Sequence, residues 1–507
     1  MKELLSNIWE NKPLKLIMWM AVITRLIAAI FAKGFGMHDD HFLIIEAAQS
    51  WVDSYDYNNW LPGSTTDSTP SGHSFFYVGS QYLILLFLKS IGIANPQAKM
   101  FIIRILHGLF SLIIVYFGYK ITLKLSDEKT AKITGLLLAV FWFMPFLSVR
   151  NLVEVVCIPF LIYGIWKIIE HWDAKNAIKY FLLSGFIVGL AFSVRFQTGI
   201  FAFGIGLALL IKLRWKEAIF YGIGFLFSVA IVQGGIDYFT WGRPFAELGE
   251  YTRYNMAHAS NYFTGPWYNY LLLILGVLIP PISFGIFFGF FRSWKKYIIL
   301  FLPAFLFLFF HSAFPNKQER FILPIVPFVI ILGMMGWQDF LNKSSFFNNR
   351  KKLIKSFWIF FWVINLLLLP VVSTMYSKRA RVESMVYLSQ YNDVKAIVLE
   401  NSNISYVKLA PMFYLGQWVK EYPVTSDNYE EKLVVISKYI KAPQPRFFLF
   451  YEEDNLGKRL ERVKTIFPNI VYETTISPGF IDKVLHWMNP YNANQTIYIY
   501  RNDDYVP

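Results

Sequence analysis

Charge and cysteine are what this chain has least of. Only 16% of its 507 residues are charged, against about a quarter in ordinary soluble domains, and a soluble enzyme so poor in charge would aggregate. The single cysteine, Cys157, lies in an apolar run; it excludes an internal disulfide and leaves the redox compartment open. Among the histidines, His38, His41, His73, His258 and His311 fall at spacings that match no zinc pattern, so each reads as a surface or hydrogen-bonding residue. No internal repeat or low-complexity tract stands out, which argues against the doubled halves common in transporters.

Apolar and aromatic residues fill the place of the missing charge. The chain is 55% hydrophobic, with 50 Phe, 30 Tyr and 16 Trp. Aromatic rings of this abundance suit bilayer interiors and headgroup belts. The formal net charge of +14 raises the question of nucleic acid, but the Lys and Arg sit between apolar spans and form no stripe with interleaved aromatics. Membrane orientation explains them, and no nucleic-acid partner is expected. The N-terminal apolar run follows Lys12 and Lys15 and has no small-residue cleavage site before His38, so it reads as a retained anchor.

Windows of about 20 apolar residues, the length a hydrocarbon core demands, fall near 14–33, 101–123, 131–149, 152–170, 180–194, 198–213, 217–236, 268–290, 297–311, 321–340 and 356–376. The expected architecture is a multi-pass α-helical membrane protein with about eleven transmembrane helices. The run 74–92 is placed as a re-entrant or surface helix, because counting it as a crossing would put the lysine-rich loop Lys120–Lys132 outside. With the N-terminus inside, the loops bearing Lys167, Lys175 and Lys179, then Lys212, Arg214 and Lys216, then Arg292, Lys295 and Lys296, then Lys343 to Lys355 are all cytoplasmic. The first outer loop carries Asp39, Asp40, Glu46, Asp53, Asp56 and Asp67 instead. From about Ser377 the composition becomes mixed. Short β-type runs at Ala396–Glu400, Phe447–Tyr451, Ile470–Thr475 and Thr496–Tyr500 alternate with helical patterns, clearest over Leu456–Phe467. Residues 1–376 therefore read as a transmembrane domain with outer loop 34–99, and residues 377–507 as an extracytoplasmic soluble α/β domain.

On that topology, five polar segments lie at outer helix ends. They are His38-Asp39-Asp40-His41-Phe42 with Glu46; Ser148-Val149-Arg150-Asn151 with Glu154; Arg195-Phe196-Gln197-Thr198; the stretch from Asp237 to Tyr270 with Tyr254, Asn255 and His258; and His311 to Phe321. Charges flanked by spans are costly and usually functional, although an isolated arginine at a helix end can simply snorkel to headgroups. Adjacent acids such as Asp39 and Asp40 suit a general base, a metal site or a solvated loop.

Together these segments resemble the GT-C family of lipid-phosphomannose-dependent α-mannosyltransferases that extend N-glycan precursors and GPI anchors. The family's His-Pro-Asp-Glu-x-Phe-Gln pattern, with a Glu three residues beyond, looks like Met37-His38-Asp39-Asp40-His41-Phe42-Leu43 with Glu46. Its Arg-Thr-x-Ser-Asn-x-x-Glu element is similar to the shortened Arg150-Asn151-Leu152-Val153-Glu154, and its Arg-Pro-Thr element to Arg195-Phe196-Gln197-Thr198. Asp237-Tyr238, Gly242, Phe245, Tyr254-Asn255, Gly265-Pro266-Trp267 and Tyr270 look like its aromatic loop. Its most specific motif, His-Lys-Glu-x-Arg-Phe-Leu-Leu-Pro, is similar to Asn316-Lys317-Gln318-Glu319-Arg320-Phe321-Ile322-Leu323-Pro324. The chain departs from the pattern at Met37, His38, Asp40, Asn316 and Gln318, and it lacks the Thr-Trp-Glu-Trp segment.

The resemblance implies a membrane mannosyltransferase that takes sugar from a polyprenyl- or dolichyl-phosphate donor embedded in membrane lipid and passes it to a glycan or glycolipid acceptor on the outer face. Such a displacement needs a base for the acceptor hydroxyl, expected at Asp39 with Asp40 as the alternative. The leaving phosphate gains charge, so cations preorganised around it lower the barrier. Arg320 and Lys317 are the first candidates; Arg195 and Arg150 come second, since either can instead pair with Glu154 to fix helix ends. Glu46, Glu154, Tyr254, Asn255, Glu319 and His258 are expected to bind substrate. No cofactor is expected, and magnesium ranks low because a lipid monophosphate has less charge to neutralise than a nucleotide sugar. The rivals are a transporter or flippase of lipid-linked sugars and a membrane anchor presenting the C-terminal domain as a binding module. Compact loops and richness in Lys, Ile, Phe and Asn suggest a bacterial plasma membrane.

Overall fold

The structure is a computed structural model that describes residues 2–63, 69–261, 264–428, 432–433, 444–490 and 496–506. Asp67, and the part of the aromatic loop at 262–263, lie outside these residues. The chain forms two compact units: Met1–Ile30, Asp56–Gln81 and Ile103–Thr374 make the first, and Phe31–Tyr55, Tyr82–Ile102 and Met375–Pro507 the second. The expected division kept the whole outer loop 34–99 with the membrane part, whereas the chain groups both flanks of that loop with the C-terminal residues.

Among the described residues, six helices are long and apolar enough to cross a bilayer: Pro13–Phe31, Pro96–Leu125, Ala177–Val194, Trp215–Trp241, Glu319–Lys343 and Lys351–Ser373. Four shorter apolar helices accompany them, Phe75–Ser90, Thr198–Ile211, Ile282–Arg292 and Ile298–Ala313. Length and composition thus support six crossings and leave the expected count of about eleven unconfirmed. The difference comes largely from breaks. Glu128–Val140 gives way to Met144–Ser148, Val153–Val156 precedes Ile158–Glu170, and Asn269–Val277 is separated from Ile282–Arg292. Pro145, Pro159, Pro280 and Pro281 stand at these interruptions, where a residue without a backbone N–H cannot continue the ladder.

A broken helix in an apolar environment must satisfy its freed backbone groups from elsewhere. Asn365, wholly buried in the last span, does this for the first break. Its Oδ1 accepts from Trp142 N at 2.9 Å and its Nδ2 donates to Val140 O at 2.9 Å. Arg25, buried in the first span, donates to Ala139 O (2.9 Å) and Leu138 O (3.3 Å) at the end of the same helix and to Ser111 Oγ at 2.8 Å. A cation at a helix C-terminus also complements its dipole. Close helix approach relies on small residues: a Cβ on Gly185 would overlap the carbonyl of Tyr221, and one on Gly224 that of Leu182. The helix Ala177–Val194 is thereby fixed against Trp215–Trp241, which positions the residue that follows it, Arg195.

In the second unit, β1 (Ala396–Asn401), β2 (Lys420–Thr425), β3 (Phe447–Tyr451), β4 (Ile470–Ile476) and β5 (Ile497–Asn502) form one sheet in the order β2-β1-β3-β5-β4. β1 runs parallel to β2 and β3, while β5 runs antiparallel to β3 and β4. One face buries Val398, Val424, Phe448 and Phe450 against Val463 of the helix Leu456–Lys464 and Phe467 just beyond it. Four strands follow the β-type runs seen in the sequence. The fifth, β2, does not read as a strand because Lys420, Glu421 and Pro423 interrupt it; proline is tolerated there because β2 is at the edge. Gly34, at φ +72°, pairs with Ser377, and a Cβ there would overlap the Ser377 carbonyl.

Candidate active site

In the membrane unit, three of the expected residues come together. Arg195 occupies the short link between the helices Ala177–Val194 and Thr198–Ile211, with extended backbone, and Thr198 Oγ1 donates to its carbonyl at 2.9 Å. Glu154 comes from the first turn of Val153–Val156, and the tight helix Glu319–Ile325 brings in Arg320. Glu154 Oε1 takes a short hydrogen bond from Arg195 Nη1 and lies 3.6 Å from Arg320 Nε. Arg195 and Glu154 are 5% and 1% exposed. The guanidinium of Arg195 also lies over the Phe321 ring at 5.2 Å. Two cations thus share one carboxylate and leave the cluster net positive.

The cluster is also incomplete. Nε and Nη2 of Arg195, Oε2 of Glu154 and Nδ2 of the neighbouring Asn151 are buried with no hydrogen-bond partner among the described residues. Leaving such groups unpaired costs about 1–3 kcal/mol each, more when charged. Two guanidinium donors aimed into a net-positive site suit an anion with paired oxygens, such as a phosphate.

Lys317 departs from its expected role. Its ammonium donates to His311 O at 2.9 Å, Ser312 O at 2.8 Å and, in a shorter contact, Phe314 O. Three donors on three carbonyls at the end of the helix Ile298–Ala313 form a C-terminal cap, so this lysine is spent on structure. Burial lowers its pKa. Arg320 donates through Nε to Gln318 Oε1 at 2.9 Å, and Arg150, buried, stacks over Phe146 at 4.3 Å. Glu319 is exposed at the start of its helix. Tyr254, Asn255 and His258 lie at the end of the helix Ala246–Ala257; the rings of Tyr254 and His258 stack at 4.3 Å, and Asn255 Nδ2 donates to Tyr251 O at 2.8 Å.

Sequence reasoning missed a buried polar latch beside this helix. Glu247 accepts from Gly72 N at 2.6 Å, Ser71 Oγ at 2.9 Å and Trp241 Nε1 at 2.8 Å, and Asp237 accepts from the Glu247 amide at 3.1 Å. Burial raises the pKa of Glu247. In sequence the Asp237–Tyr270 stretch stands out through Asp237, whereas Ser71 and Gly72, over 170 residues from Glu247, give no pattern that points to it.

The second unit holds the acidic pair. Asp40 is buried, and its two oxygens accept from Gly36 N and Met37 N, each at 3.0 Å, which makes it a helix N-terminal anchor. Asp39 is partly exposed beside it. Glu46, expected to face substrate, is wholly buried: both carboxylate oxygens accept from Phe413 N, at 3.0 and 2.9 Å, and Oε1 lies 3.0 Å from His41 Nε2. Its contacts therefore tie the outer loop to the turn at Phe413. Burial pushes Glu46 up to about 8 and His41 down to about 3, so the pair is neutral near pH 7.

No metal-ligand group of three or more His, Cys, Asp or Glu occurs among the described residues. The pattern of the Alg9-like mannosyltransferase family matches residues 16–417. GPI mannosyltransferase 3 of Candida albicans is 25% identical over 336 residues, covering 63% of this chain and 64% of that protein, so the match spans less than two thirds of the relative. ArnT from Cupriavidus metallidurans bound to undecaprenyl phosphate has a TM-score of 0.63 at 10% identity, over 97% of this chain and 98% of that one. The oligosaccharyltransferase from Archaeoglobus fulgidus with an inhibitory peptide and a dolichol-phosphate has a TM-score of 0.51 at 8% identity, over 93% and 74%. The shared architecture is the GT-C fold, and with its apolar helices the chain is an integral membrane protein. The curated relative is fungal, and the expectation of a bacterial plasma membrane finds no support in it.

Proposed function

We propose that this chain, which belongs to the Alg9-like mannosyltransferase family, moves mannose from a polyprenyl- or dolichyl-phosphate carrier to a glycan or glycolipid acceptor on the outer membrane face. The observation that carries this reading is Arg195, buried beside Glu154 with Nε and Nη2 unpartnered. That geometry suits one face of a carrier phosphate, and two proteins of the same fold are seen with undecaprenyl phosphate and dolichol-phosphate. Arg195 is thereby the first phosphate ligand and Arg320 the second. Glu154 orients both, Lys317 caps the helix Ile298–Ala313 just before Arg320, and Arg150 holds the adjoining helix end. The exposed Tyr254 and Glu319 and the half-buried Asn255 and His258 are assigned to the acceptor.

In the reaction the acceptor hydroxyl oxygen attacks the anomeric carbon, the bond from that carbon to the phosphate oxygen breaks, and the electron pair leaves with the lipid phosphate. The guanidinium groups stabilise the charge that grows there. The hydroxyl proton passes to a carboxylate. Asp39 is assigned this role over Asp40 because Asp39 is partly exposed and Asp40 is buried.

The test gives purified protein in nanodiscs radiolabelled polyprenyl-phosphate sugars, one at a time, and assays glycan product for wild type, Asp39→Asn and Asp40→Asn. Mannosyl product is expected from the wild type, with a loss of about 10²–10⁴-fold in Asp39→Asn, the usual general-base contribution. Movement of lipid-linked sugar without a new glycosidic bond would establish the flippase instead. Wild-type turnover in folded Asp39→Asn would move the base elsewhere.

A further inference from the structure

The helix Phe480–Met488 turns its apolar side outward. At about 3.6 residues per turn, Phe480, Val484, Trp487 and Met488 share one face. On it Phe480 is 78%, Trp487 83% and Met488 69% exposed. The opposite side is the anchored one. Buried Asp482 accepts backbone hydrogen bonds from Arg379 at 3.2 Å and Lys378 at 3.4 Å. Contiguous large apolar side chains displayed by a folded unit mark an interaction surface.

The chain itself identifies what that surface meets. Lys378 and Arg379 follow closely on Ser373, the end of the span Lys351–Ser373. A second tether acts at the same place: Ser377 N donates at 3.1 Å to the carbonyl of Lys33, just past the end of the span Pro13–Phe31. Lys483 borders the apolar face, and Lys378 and Arg379 lie at its anchored end. A short helix with Trp and Phe on one side and a lysine at the rim has the composition of an interfacial helix.

We propose that Phe480–Met488 docks in the headgroup layer of the bilayer through Phe480, Val484, Trp487 and Met488, and so fixes the C-terminal unit to the membrane surface. The occupant is lipid, since both tethers involve residues that follow closely on membrane spans in the chain and Lys483 borders the apolar face. This inference rests on the tethers and the exposed face and is independent of the proposed reaction.

The test places a nitroxide at Trp487→Cys in the full chain, in nanodiscs of phosphatidylcholine and phosphatidylglycerol holding one copy each. Lys458→Cys, on the exposed side of the helix Leu456–Lys464, gives the aqueous reference, and Phe480→Cys is a second reporter should the first variant fold poorly. Cys157 is buried, and the unsubstituted chain controls for its labelling. The docked helix predicts a ratio of oxygen to nickel-chelate accessibility several-fold higher at 487 and 480 than at 458. Equal ratios overturn the proposal. Protection that appears only when two copies share a disc also overturns it and assigns the face to self-association.

Discussion

Two buried arginines, each paired with a buried glutamate, have opposite fates in the two units. In the C-terminal unit, Arg459 gives every donor group a partner. Nε and Nη2 reach Glu400, the latter in a short contact, and Nη1 is shared among the carbonyls of Tyr451, Glu452 and Asp454 at 2.9 to 3.2 Å. In the membrane unit, Arg195 is as deeply buried, but only Nη1 is engaged, on Glu154. Burial and an ion pair alone therefore do not separate scaffold from site. The separation lies in the remaining donors: a saturated guanidinium pins loops, and an unsaturated one is preorganised for a ligand that brings its own oxygens.

The sharpest way to break this contrast is to remove each arginine. Arg459→Ala strands Glu400 without its charge partner, so the C-terminal unit should lose about 3–5 kcal/mol of stability, read by chemical denaturation. A loss below about 1 kcal/mol, the scale of an exposed pair, would mean that the network is dispensable. Arg195→Lys keeps a cation for Glu154 but loses the paired donors. Transfer should fall about 10²–10³-fold, and the stabilisation that added polyprenyl phosphate gives the wild type, about 2.7 kcal/mol at a hundredfold excess over Kd, should vanish while the unliganded melting temperature holds. An unchanged lipid-phosphate shift would return Arg195 to the scaffold.

Lys317 sharpens the comparison from the other side, because its resemblance to a motif lysine suggests a ligand contact and its geometry a cap. Lys317→Met should cost about 1–2 kcal/mol of stability with donor affinity little changed. A tenfold or greater rise in donor KM at unchanged stability would show that the lysine meets phosphate after all.

A further expectation is a slope with pH in the C-terminal unit. Burial pushes Glu46 and Glu421 up to about 8, above their ordinary 4.5. A carboxyl with a raised folded-state pKa stabilises fully below its unfolded value and loses that contribution as pH rises through the folded one. His41, pushed down to about 3 from 6.5, works in the opposite direction but only at lower pH. Stability should therefore decline from pH 6.5 to 8, and Glu46→Gln with Glu421→Gln should flatten the slope. A slope unchanged by both substitutions would locate the titration elsewhere.

The same logic explains how far the sequence could be read. Apolar run length and lysine placement are properties of contiguous residues, so the membrane class, the C-terminal α/β domain and four of its strands were legible without contacts. The motif around Asn316–Pro324 and the positions of Arg195 and Glu154 were legible as chemistry set between apolar runs. Partner choice was not. Asp39 and Asp40 are adjacent and alike in sequence, yet one is held by the Gly36 and Met37 amides. Glu46 looked like an outer-loop acid until the Phe413 amide, 367 residues away, enclosed it. Arg25 and Asn365 carry no signal of their own in the sequence, and the broken helix they complete lies more than 100 residues from each. Sequence by itself determined that the chain carries many apolar segments and which residue types lie at their ends, because hydrophobicity is local and additive. Only the tertiary structure decided which of those polar groups are spent on the fold and which, like Nε and Nη2 of Arg195, have no hydrogen-bond partner among the described residues, because each donor and acceptor is satisfied by whichever distant group the packing brings within about 3 Å.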